Sequence, residues 1–334
     1  MMPPFRFATL LPLLVALVAQ AQPQPYGCHY FHHQPAALQI TGAARDQINE
    51  TIARSDTFDI LHYDINLDLT SFVPADFKGF TTVTFTPVME GQETIRFDLF
   101  QLTVDSVIGP DGPVDFTHDG QFLNVLFAEA MEVGTPYDVT VHYRGTPYRD
   151  PQWGGFYYEG GYMYNLGIGL STIPPNFGKV WYPCFDSFVE RATYAYHVKS
   201  AGGNRLHGQG DFLGEVQLGG DTIIRSFAVD HAIPTHLSAV AVSNYQDHDY
   251  IHNGINGEVP VRLSARSNQM PAMLEKFADL GSAIDVCEHW YGPHMFDRVG
   301  YVITTDGALE IPTNIAYPSF MTSQGIVANR ALFT

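Results

Sequence analysis

Residues 61–69 alternate without a break: Leu61, Tyr63, Ile65, Leu67 and Leu69 are apolar, and His62, Asp64, Asn66 and Asp68 between them are polar. A period of two places one set on each face of an extended chain, so the stretch suits a half-buried strand and not a helix. Similar short runs recur at 79–85, 94–99, 102–108, 122–127 and 137–143. Turn signals separate them, among them Pro110-Asp111-Gly112-Pro113 and Asp119-Gly120. Further runs at 156–164, 192–199, 222–229, 237–243 and 259–263 continue the series. This spacing predicts a mostly β chain whose N-terminal domain, 57–265, is an antiparallel β-saddle or sandwich.

The pattern changes near residue 266. Met273, Phe277, Leu280, Ile284, Cys287 and Tyr291 recur at alternating steps of four and three, the apolar stripe of one amphipathic helix from about Pro271 to Gly292-Pro293. A β-branched run at 299–304 follows. Helix then strand reads as the incomplete start, 266–334, of a second domain of α/β type.

Composition bounds the partners. A chain of 334 residues suits two domains, and 45% hydrophobic residues are ample for their cores. With 35 acids against 17 bases the formal charge is −18, which disfavours nucleic acid and anionic membranes as partners. Residues 1–21 have the form of a signal peptide: Arg6, an apolar run from Ala8 to Val18, and Ala19-Gln20-Ala21 as a cleavage site. That run is short for a membrane span, so the expected location is exported: periplasmic, extracellular or cell-surface. Residues 22–56 lack sustained periodicity and are expected to form a loosely ordered leader. His29, His32 and His33 there have no ligand spacing and read as solvated. Asn49-Glu50-Thr51 is a glycosylation sequon. Cys28, Cys184 and Cys287 do not describe a disulfide framework, and Cys184 and Cys287 are expected to be buried free thiols.

One stretch carries chemistry. The 299–304 run leads into Thr305-Asp306-Gly307-Ala308-Leu309-Glu310-Ile311-Pro312. Gly307 and Ala308 leave room for another backbone, and Glu310 sets a single carboxylate beside it. Edge pairing plus one carboxylate suits the capture of a peptide N-terminus, whose ammonium a carboxylate binds strongly. The same residue types also make an ordinary strand end.

Several segments in order resemble the aminopeptidase N family of zinc metallopeptidases. They are Tyr63-Asp64-Ile65-Asn66-Leu67-Asp68-Leu69, Trp181-Tyr182-Pro183-Cys184-Phe185-Asp186, Arg191-Ala192-Thr193-Tyr194, Tyr291-Gly292-Pro293 and Gly307-Ala308-Leu309-Glu310. The resemblance runs from about residue 57 to the end. It implies an N-terminal β-saddle domain packed on a thermolysin-like catalytic domain. It also implies that Gly307, Ala308, Leu309 and Glu310 contact substrate, with Glu310 holding the free α-amine. Ile311 stands where the family has Asn, and counting back from Pro183 for a second amine-binding Glu or Gln reaches Pro174. The family's His-Glu-x-x-His does not occur, and Glu288-His289 lacks a second His at that spacing.

The expectation is therefore the N-terminal portion of an exported zinc aminopeptidase acting on peptides with a free N-terminus. Zinc belongs to the full-length enzyme. This chain is expected to hold no catalytic residues and no metal, and to be inactive alone. The alternative is a non-catalytic peptide- or glycan-binding β-domain protein. Against it stand Ile326, Val327, Ala328, Ala331, Leu332 and Phe333, which read as the apolar face of an unfinished helix.

Overall fold

The computed structural model describes residues 41–323. The signal-like segment, Cys28, the three leader histidines and the apolar residues 326–333 lie outside them. An eight-stranded sheet dominates the N-terminal part. Its spatial order is Asp211–Gly219, Thr222–Ile233, Ala192–Ser200, Phe58–Asp68, Phe77–Pro87, Tyr137–Gly145, Thr103–Gly109 and Gly112–Pro113. Neighbours are antiparallel except Phe58–Asp68 and Ala192–Ser200, which pair in parallel. Tyr63, Ile65 and Leu67 point into the core as their alternation requires. Leu61 does not. A bulge between Ile60 and His62 shifts the phase by one residue, so Ile60 is buried and Leu61 faces out.

The 156–164 run is a hairpin, Gly155–Glu159 and Tyr162–Leu166, turned at Gly160-Gly161 with both glycines at positive φ. It belongs to a four-stranded sheet with Arg205–Leu206 and Ala241–Ser243. A three-stranded sheet, Thr94–Asp98, Phe122–Leu126 and Asp115–His118, covers another side of the same core.

The leader is helical over its described part. α1, Gly42–Ala53, is capped by the Thr41 hydroxyl, which accepts from Ala44 N–H at 3.2 Å. Arg54 then docks it on the β core: its guanidinium pairs with Asp98, donates to the Arg96 carbonyl at 2.8 Å and lies over the Phe185 ring. The sequon lies within α1, where the Thr51 hydroxyl is buried and donates to the Gln47 carbonyl. Periodicity misses this helix because it has little apolar face of its own. A buried ion pair anchors it instead.

The second part is a four-stranded sheet in the order Tyr245–Gly254, Gly257–Arg266, Val299–Thr304 and Ile315–Pro318. The last three strands run parallel to one another. The expected single helix is two, α2 (Met270–Lys276) and α3 (Leu280–Tyr291), broken around Phe277. Met273, Phe277, Leu280 and Ile284 are buried against this sheet as the stripe predicts. Cys287 and Tyr291 are exposed instead, because they lie on the half of α3 that leaves the sheet for a cavity. Cys184 is buried as expected, and burial together with Asp186 and Asp98 raises its thiol pKa.

Candidate active-site segment

Strand alternation divides the second sheet between two cores. Tyr301 and Ile303 face α2 and α3, whereas Val302 between them joins a tyrosine-rich cluster with Tyr157, Tyr162 and Tyr164 of the β domain and with Tyr245, which opens the second sheet. That cluster receives the Gly307–Glu310 segment. Tyr157 and Tyr164 stack with ring centroids 4.6 Å apart. The Tyr164 hydroxyl accepts from Asp306 N–H at 2.9 Å and bonds to the Thr305 hydroxyl at 2.8 Å. Tyr245 donates to the Ile303 carbonyl at 2.7 Å. Burial raises the pKa of Tyr157, Tyr164 and Tyr245, so at neutral pH all three are neutral donors as well as apolar surface.

Beyond the tyrosines the segment lies along the free side of Ile315–Pro318. Ala308 N–H donates to the Ala316 carbonyl at 2.9 Å, and Ala316 N–H donates back to Leu309 at 3.2 Å. This antiparallel bridge, Leu309 to Ala316, makes the segment the edge of the second sheet.

The four expected contact residues divide. Gly307 does need its missing side chain, but for the chain itself: a Cβ would lie 3.0 Å from Pro318 N and 3.1 Å from the Ala316 carbonyl oxygen. Ala308 is half-buried and left-handed, φ 70°, an uncommon state for a residue other than glycine. Leu309 is 4% exposed and packs in the tyrosine cluster, facing away from the open side. Ile311 is 3% exposed in the same cluster, so the position that departs from the family pattern is spent on packing. Glu310 alone is exposed, and its carboxylate has no partner among the described residues.

Glu310 stands at the wall of a cavity of about 500 Å³, mostly apolar, between α3 and the sheet. Ile284, Cys287, Tyr291, Phe296, Tyr301 and Pro312 line it. Periodicity does not reveal this cavity, because Cys287 and Tyr291 fit the helical stripe like core residues. It also misses the tyrosine platform, for which Tyr157, Tyr158, Tyr162 and Tyr164 around Gly160-Gly161 are the available signal. Glu288 is buried and accepts from Asn256 N–H at 3.2 Å, a turn-holding contact, and His289 beside it is exposed.

Among the described residues no group of three or more His, Cys, Asp or Glu side chains could hold a metal ion. What this segment offers is an edge backbone, an unpaired carboxylate and an apolar hollow.

No protein-family model and no curated protein sequence matches the chain. Solved structures do, and they are M1 zinc metallopeptidases, whose fold this chain has over 83% of its length. One is an M1 zinc metallopeptidase mutant of Deinococcus radiodurans bound to a Tyr-Ser-Ala substrate, at a TM-score of 0.72 and 19% identity. Another is a two-domain M1 zinc metallopeptidase mutant bound to L-arginine, at a TM-score of 0.71 and 19% identity. The M1 zinc metallopeptidase of Deinococcus radiodurans without a stated ligand matches at 0.67 and 18% identity. The chain covers 64% of the length of the first two and 63% of the third.

Proposed function

We propose that this chain supplies the N-terminal β domain and the amine-holding segment of an exported zinc aminopeptidase, an enzyme that removes N-terminal residues from peptides. Glu310 holds the substrate's α-ammonium, and the edge at Ala308–Leu309 aligns the peptide backbone. Three features support the reading: the M1 fold, the edge bridge of Leu309 to Ala316, and the exposed Glu310 carboxylate at the wall of the apolar cavity, with no partner among the described residues. The last carries it, because a carboxylate held open beside an apolar hollow can meet a ligand ammonium whose side chain the hollow takes. The form of residues 1–21 supports export. Zinc chemistry belongs to the whole enzyme, and the described residues contribute binding and alignment to it.

The test is a comparison of two ligands. Tyr-Ser-Ala, which a fold neighbour binds, and its N-acetylated form are titrated into the chain and into Glu310→Gln. A charge-assisted hydrogen bond contributes about 1.5–3 kcal/mol, so Glu310→Gln should weaken the free peptide roughly ten- to a hundredfold. The acetylated peptide should be unaffected. Equal losses for both ligands would remove Glu310 from amine recognition.

A further inference from the structure

Glu310 sits in an irregular link between Val299–Thr304 and Ile315–Pro318, and that link is held at both ends. The tyrosine platform holds Thr305 and Asp306 at one end. At the other end Thr313 and Asn314 are buried, an uncommon place for two polar turn residues. Thr313 Oγ1 accepts from Gly210 N–H at 2.7 Å, and Asn314 Nδ2 donates to the His207 carbonyl at 2.9 Å. Arg298, buried just before the Val299–Thr304 strand, donates to the carbonyls of Gly208, at 2.9 Å, and Gly210. Three side chains from the second part thus meet one β-domain loop, His207-Gly208-Gln209-Gly210.

Both sides of this clasp are rigid. Thr313 has φ 63°, which a β-branched residue adopts only where its surroundings impose it. Its carbonyl oxygen presses on Gly300, where a Cβ would lie only 1.8 Å away. Across the clasp Gly210 has φ 76°, and a Cβ there would lie 1.7 Å from the Ala228 carbonyl oxygen. Gln209 Nε2 donates to the Leu237 carbonyl at 2.9 Å. His207 Nδ1 is 2.7 Å from Asp247, and Arg225 approaches its Nε2 at 3.3 Å. Arginine can only donate, so Nε2 accepts and the proton sits on Nδ1. The imidazole is neutral and fixed in one tautomer.

We propose that Thr313 and Asn314 are positioning residues, which hold the Glu310 carboxylate in place by locking its turn onto the His207–Gly210 loop. The proposal rests on the reading of Glu310 as the amine anchor, and it gives the β domain a part in substrate alignment.

The experiment uses the chain with Thr313→Val, which keeps the shape and removes the acceptor, and Thr313→Ser, which restores it. Amide hydrogen exchange over residues 307–316 and the dissociation constant for Tyr-Ser-Ala are measured on each. Thr313→Val should speed exchange over 307–316 at least tenfold, leave the Phe58–Asp68 strand unchanged and weaken Tyr-Ser-Ala at least fivefold. Thr313→Ser should return both to wild-type values. Unchanged exchange in Thr313→Val overturns the proposal whatever the ligand does. Faster exchange with undiminished affinity also overturns it, since the clasp would then hold the turn without serving Glu310. A wild-type chain that binds the free and acetylated peptides equally defeats the amine reading instead, and the exchange result still decides the clasp. Asn314→Ala, which leaves the Thr313 bond intact, provides the same readouts if Thr313→Val does not fold.

Discussion

Leu309 and Glu310 are adjacent in sequence and face opposite ways. Backbone geometry sends one into the tyrosine cluster and the other to the cavity wall. The four-residue motif thus mixes buried and open positions, and residue type hints at the split: a leucine belongs in a core and a lone glutamate does not. Gly307 is less transparent. A small residue signals close approach, but only the structure identifies the approaching group as Pro318 and Ala316 of the same chain. Leu309→Ala should therefore behave as a core truncation, lowering stability by about 2–5 kcal/mol in urea unfolding. A change under about 0.5 kcal/mol would place Leu309 outside the core.

At the scale of elements, period two was legible wherever one face of a strand is buried, as at Tyr63, Ile65 and Leu67. It became misleading at Leu61, where a bulge changes which face a residue occupies without leaving a mark in polarity. The 211–219 strand is marked only weakly, because Leu213 and Gly214 interrupt the alternation of Val216 and Leu218, and both its faces are largely exposed. The 3–4 stripe of 273–291 was read correctly as helical and wrongly as continuous, since Phe277 packs at a break between α2 and α3. α1 was missed for a different reason: its docking depends on Arg54 meeting Asp98, residues far apart in the chain. Asp98 also accepts from Asp186 N–H at 2.9 Å, so it organises a second loop. Arg54→Ala would leave that carboxylate buried without its cation, and should cost about 3–5 kcal/mol in thermal or urea unfolding. A wild-type unfolding curve for this variant would mean that α1 is not docked through Arg54.

At the scale of the whole molecule, the junction between the two parts holds titratable groups of opposite preference. Burial lowers the His207 pKa, so the folded chain favours neutral imidazole. Burial raises that of Asp247, but the hydrogen bonds from His207 and Ser264 and the charge of Arg262 outweigh it and pull the carboxyl down to about 2. Both shifts make acid destabilising. The His207 contribution is present above its unfolded pKa of about 6.5 and declines as pH falls below it. The Asp247 contribution is present above about 3.9 and is lost as pH falls toward about 2, an effect on the order of 2 kcal/mol. Unfolding free energies from pH 8 to pH 2 should thus show two acid losses, and Asp247→Asn should reduce the lower one, to which Asp68, Asp119 and Asp150 also contribute through their lowered pKa values. A variant whose lower acid loss matches wild type would exclude Asp247 as one of its sources.

The sequence by itself determined the β-rich class, the positions of most strands, the helical stripe and the place of Glu310 shortly after a strand. Each of these rests on local physics: alternation, turn chemistry and residue size act over a few neighbours. Tertiary structure alone decided that Glu310 has no partner among the described residues, that Leu309 and Ile311 are core, and that Thr313 and Asn314 grip a loop about a hundred residues earlier in the chain. Such contacts join residues that carry no mark of one another in sequence. They exist because the β domain supplies unpaired backbone groups at His207–Gly210 and the second sheet brings polar side chains to meet them.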